Sequence, residues 1–112
     1  MAVAIAIDTN RYRDFVDGVP EAVSMLRSTT RIHIPLIVVA ELRAGFAVGT
    51  RGTENERVFE AFLQRPRVHV LAPSLETTRH YTTLFRDLRE AGTPIPTNDI
   101  WIAALMIQHE LP

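Results

Sequence analysis

The chain has 112 residues, 46% of them hydrophobic, with 12 basic and 13 acidic side chains and a net charge of −1. Every basic residue is Arg, and neither Lys nor Cys occurs, which excludes disulfide frameworks, thiolate zinc sites, Cys nucleophiles, Schiff bases and a phosphate-binding loop Lys. Without a global basic field, a nucleic-acid partner requires a local Arg patch or metal ions, and no apolar run approaches the ~18 residues of a membrane span. Met1 to Ile7 lacks a basic leader, and Asp8 interrupts it too early for a signal peptide, so a single cytoplasmic domain over residues 1–112 is expected.

Ala2 to Ile7 is continuously apolar and reads as a strand buried on both faces, as in a parallel sheet. It stops at Asp8-Thr9-Asn10. Pro20 opens a helix over Glu21 to Ser28. Arg31 to Ile34 alternates and predicts a second strand, followed by a helix through Val38 to Val48. Thr53 and Glu56 have the spacing of a capping box, ahead of an amphipathic stripe of Val58, Phe59, Phe62 and Leu63. Arg67 to Leu71 alternates as a third strand. Ser74 caps a long helix carrying Tyr81, Leu84, Phe85 and Leu88, and Gly92 ends it. A stiff Thr93-Pro94-Ile95-Pro96-Thr97 linker precedes a last helix from Asn98, apolar almost all round and so expected to be buried on several sides. Strands alternating with helices predict an α/β class with a parallel sheet between helical layers.

Most acids lie where solvated charge belongs. Glu54, Glu56, Glu60, Asp87 and Glu90 have Arg neighbours on helices. Asp8, Glu41 and Asp99 do not fit that pattern. Asp8 ends a buried strand, Glu41 interrupts Leu36-Ile37-Val38-Val39-Ala40-Glu41-Leu42, and Asp99 begins the most apolar helix. Each has a local explanation: turn chemistry for Asp8, pairing with Arg11 or Arg43 for Glu41, a helix dipole for Asp99. One common cause also serves. Ligands of open parallel sheets sit beyond the carboxyl ends of the strands, where Asp8 and Glu41 fall, and carboxylates converging there suit a hard cation such as Mg²⁺ or Mn²⁺. Strand and helix patterning alone leaves open whether Asp99 reaches the same edge.

Ile7-Asp8-Thr9-Asn10 after an apolar strand, Ala40-Glu41-Leu42 followed by Gly45, Asn55 with Phe62-Leu63, and Gly92-Thr93-Pro94-Ile95-Pro96 before Asn98-Asp99-Ile100-Trp101-Ile102-Ala103-Ala104 occur in this order. In this the chain resembles the PIN-domain ribonucleases, specifically the VapC toxins of toxin–antitoxin pairs. The resemblance spans nearly the whole chain. It implies a three-layer α/β/α sandwich, a homodimer, Mg²⁺-dependent endonuclease activity on RNA, a VapB-type antitoxin partner, and a pocket where Asp8, Glu41 and Asp99 meet. Such toxins continue past the last helix into another strand, a further acid and a final strand. Nothing in this chain matches those pieces, so a truncated form is expected, lacking the fourth acid and leaving Ala2 to Ile7 as an apolar sheet edge.

The expected reaction is hydrolysis of RNA phosphodiesters. Asp8 and Asp99 are the principal metal ligands, and Glu41 is a ligand or a base on the attacking water. Thr9, Asn10 and Asn98 orient carboxylates or a phosphate, although Asn98 also suits a helix N-cap. Arg11 and Arg13, just beyond Asp8, are the phosphate contacts, or else a solvated helix face. His33, His69, His80 and His109 read as structural. Two alternatives stand beside it: a non-catalytic module keeping the fold, and a phosphoaspartate hydrolase. The latter is disfavoured by Asn10 in place of a second Asp and by the absence of Lys.

Overall fold

The computed structural model describes residues 3–112. Strand β1 (Ala4–Ala6) leads into helices α1 (Thr9–Val16) and α2 (Pro20–Ser28). Strand β2 (Arg31–Pro35) leads into α3 (Leu36–Val48) and α4 (Gly52–Leu63), and strand β3 (Val68–Leu71) into α5 (Leu75–Glu90) and α6 (Thr97–Gln108). The described strands form one parallel sheet in the order β1-β2-β3, with Ile5 opposite Ile32 and His33 opposite His69. This is the expected α/β layering of a parallel sheet flanked by helices. Among the described residues β1 pairs only with β2 and is an edge strand. Ala2, assigned to this strand on its pattern, lies outside the described residues.

Alternation along the strands builds the core. Ile7, Ile32, Ile34 and Val68 meet Tyr12, Leu26, Val38, Val39, Leu42, Phe59 and Phe62 from α1 to α4. Each such side chain stabilises the fold by roughly 1.5–3 kcal/mol on full burial. Residues of opposite parity face the other way, so His33 and His69 stand side by side with ring centroids 5.6 Å apart. Burial, then His69, Arg31 and His109, hold the His33 imidazole below its ordinary pKa.

Tyr12 anchors α1. It is 3% exposed and meets the rings of Phe59 and Phe62 edge-on at 5.0 and 5.1 Å. Burial and the nearby Glu56 carboxylate push its phenol up to about 12. The Arg67 guanidinium donates to the carbonyls of Leu26 and Thr29 at 2.7 and 2.8 Å, satisfying backbone acceptors left open where α2 ends.

Helix α5 begins with a capping box between Ser74 and Thr77. It ends in a left-handed Gly92 (φ 71°), with Gly92 N–H donating to Arg89 and Thr93 N–H to Leu88, the paired bonds of a Schellman turn. Helix α6 packs on α5, Trp101 lying 4.4 Å from Tyr81. Its burial is less complete than its composition predicts. Ile100, Ala104 and Leu105 are buried, while Ile107 is 51% exposed. No helix among the described residues is long and apolar enough to cross a membrane.

Candidate active site

Parallel pairing places the ends of β1 and β2 on the same edge of the sheet. Asp8 follows β1 after the buried Ile7 and is the N-cap of α1, its Oδ1 accepting the Arg11 backbone N–H at 2.8 Å. Asp8-Thr9-Asn10 is therefore a helix start. Capping sets Thr9 in the first turn of α1, where the hydroxyl donates to Glu41 Oε1 at 3.1 Å. Glu41 sits on α3 beside the buried Leu42, on the flank of the face that carries Val38 and Val39.

Asp99 comes from the first turn of α6. Asn98 is not an N-cap. The stiff Pro94–Pro96 segment makes Pro96 the cap residue, so the helix starts earlier, and the Asn98 amide turns to donate to Glu41 Oε2 at 3.5 Å. Glu41 thus has neither expected Arg partner, and Arg43 instead bonds Glu56 and Glu60 at 2.8 and 2.7 Å.

Asp8, Glu41 and Asp99 line one open depression of about 320 Å³, together with Thr9, Asn10, Arg13 and Ile102. Among the described residues, three carboxylates from widely separated positions thus share a cleft with a single cation, Arg13. Arg11 contributes its backbone N–H to Asp8 and does not line the depression. Ile102, which forms an apolar wall, carries no signal in sequence beyond its place on an apolar helix. A larger depression of about 820 Å³ over the α3–α4 corner holds the Arg43–Glu56 pair and none of these three acids.

Oxygen donors of this kind suit a hard divalent cation. Among the described residues, no three His, Asp or Glu side chains stand close enough to hold an ion as placed. Asp8 and Asp99 are exposed, and one oxygen of Asp8 is held by the Arg11 backbone N–H. The donor chemistry therefore fits a metal, and a closed coordination shell is not preformed.

The family model described as PIN domain matches residues 5–112. The chain belongs to the PIN-domain family. Ribonuclease VapC1 of Haemophilus influenzae strain R2866 is 34% identical over 101 residues, an alignment covering 83% of this chain and 73% of that protein. Among solved structures, VapBC-1 from nontypeable Haemophilus influenzae superposes with a TM-score of 0.83 at 26% identity, over 97% of this chain and 83% of that one. VapBC2 from Rickettsia felis, bound to a DNA fragment from its promoter, shares the fold with a TM-score of 0.86 at 24% identity, over 97% and 84% of the two chains. Within the family, then, this chain is homologous to the VapC toxins of type II toxin–antitoxin systems.

Proposed function

We propose that the chain is a metal-dependent endoribonuclease toxin, hydrolysing RNA phosphodiesters in the depression lined by Asp8, Glu41 and Asp99. The observation that carries this reading is the convergence of those acids beside Arg13. Kinship with a ribonuclease supports it. Asp8 and Asp99 would hold Mg²⁺ or Mn²⁺, with Glu41 a third ligand or the base toward the attacking water. When bound, such an ion supplies Lewis acidity toward the phosphoryl oxygens and a more acidic water.

The chain's own residues do the rest. The Arg11 backbone N–H fixes one oxygen of Asp8. Thr9 and Asn98 hold the two oxygens of Glu41, so its carboxylate is oriented before substrate arrives. Asn10 lines the cleft as a further polar contact, and Arg13 offers the charge that a backbone phosphate requires. In keeping with its structural relatives, which include VapBC complexes, we assign the protein a VapB-type antitoxin partner; the homodimeric state and cytoplasmic setting that the toxin reading carries are part of the same proposal.

A non-catalytic binding module is the second reading, favoured by the absence of a preformed metal cluster among the described residues. Titrating Mg²⁺ into the protein with a labelled single-stranded RNA separates the two. The nuclease reading requires cleavage that rises with Mg²⁺ and falls about 100-fold or more in Asp99→Asn. Binding without turnover at every Mg²⁺ concentration contradicts it.

A further inference from the structure

The α1–α3 seam carries two rungs one helical turn apart. In the first, Thr9 bonds Glu41. In the second, four residues further along both helices, Arg13 faces Gly45, whose bare Cα leaves room for the guanidinium. A Cβ built at Gly45 would lie 3.2 Å from Arg13 Nη2, its one neighbour within 4 Å apart from the adjoining residues and backbone of α3 itself. Residues four apart share a helix face, so Gly45 sits directly beyond Glu41. Arg13 lines the depression of the acids and, with Gly45, a second depression of about 280 Å³, so its side chain borders both. Among the described residues Arg13 makes no ion pair within 4.0 Å, so its charge is not consumed by the neighbouring carboxylates.

We infer that Gly45 is a positioning residue for substrate. By lacking a side chain it seats the Arg13 guanidinium against α3, where it anchors a phosphate of the RNA backbone next to the carboxylates. The inference rests on the RNA-cleaving reading above and adds to it which cation meets the phosphate and what holds it. Gly45 is not needed for backbone geometry, since it lies within α3 and has no positive φ. Ala and Leu are better helix formers than Gly, so replacing Gly45 should preserve or raise the melting temperature while it weakens RNA binding. A packing role would move both downward together.

The test is a double-mutant cycle on the full chain. Affinity for a fluorescein-labelled single-stranded RNA of about 12 nucleotides is read by anisotropy in chelator, where hydrolysis plays no part. Arg13→Ala should weaken binding about tenfold and reduce the slope of log affinity against log salt by about 0.7. Gly45→Ala should weaken it two- to threefold and Gly45→Leu about tenfold, as the guanidinium is displaced by degrees. In the Arg13→Ala background, neither Gly45 substitution should weaken binding further. Wild-type affinity in Gly45→Leu, or equal losses with and without Arg13, would overturn the inference. Cleavage by the wild type with Mg²⁺ is read separately. Its absence would count against the nuclease reading, whereas a failed cycle beside normal cleavage would count against Gly45 alone.

Discussion

Both oxygens of Glu41 are engaged before any substrate is present, one by the Thr9 hydroxyl and the other by the Asn98 amide. Thr9→Val keeps the shape and removes a donor to a carboxylate. It should lower kcat about tenfold or more while leaving the melting temperature within a few degrees, as paired kinetics and thermal melts would show. Asp8 has two separable duties. Its carboxylate faces the cleft, and its Oδ1 caps α1. Asn caps as well as Asp does, whereas Ala costs about 1 kcal/mol. Asp8→Asn should therefore abolish Mg²⁺-dependent cleavage with an unchanged melt. Asp8→Ala should lose activity and also roughly 4–8 °C of Tm. An equal loss of Tm in both variants would show that the negative charge, rather than the cap bond, holds α1.

At the scale of elements, the α3–α4 corner depends on Gly52, because a Cβ there would collide with the Phe46 carbonyl oxygen. Backbone cannot yield as a side chain does, so Gly52→Ala should destabilise the fold by about 1–3 kcal/mol, measurable by denaturant titration. The same corner explains why α4 starts at Gly52 with no side-chain cap when Thr53 and Glu56 have capping-box spacing. The tight turn decides where the helix begins. Strands β2 and β3 and the ends of α5 are legible in sequence because alternation, Ser74 and Gly92 are local signals. Helix α1 is not, since Asp8-Thr9-Asn10 is equally good turn chemistry and Tyr12 is the only buried residue of the helix. Asp8 and Glu41 can be placed near one edge from strand order. Asp99 and the Asn98 bond to Glu41 depend on where α6 packs, which local pattern does not encode. His33 on β2 adds a pH response. Burial disfavours the His33 imidazolium, so its folded pKa lies below the ordinary 6.5. As pH falls the unfolded chain takes up the proton first. This contribution is full above pH 6.5 and is lost as pH drops through that value toward the folded pKa. Denaturation midpoints measured from pH 7.5 down to about 5.5 should fall, and His33→Gln should flatten the decline. A steeper decline in that variant would contradict the assignment.

Across the whole molecule, the site exists only because three distant segments arrive at one edge of the sheet: the end of β1, the second turn of α3 and the first turn of α6. The apolar core of α1 to α4 fixes the first two. The third is carried by α6, whose Ile102 packs against that core and also walls the depression. On the proposed function, Asp8, Glu41 and Asp99 together hold a divalent cation. Mn²⁺ binding followed by electron paramagnetic resonance, with the wild-type chain and Asp99→Asn side by side, tests it most directly. Saturable binding by the wild type, lost in Asp99→Asn while the circular dichroism spectrum is unchanged, is the expected result. Equal Mn²⁺ binding by both proteins, or RNA cleavage by the wild type that persists in excess chelator, would contradict it.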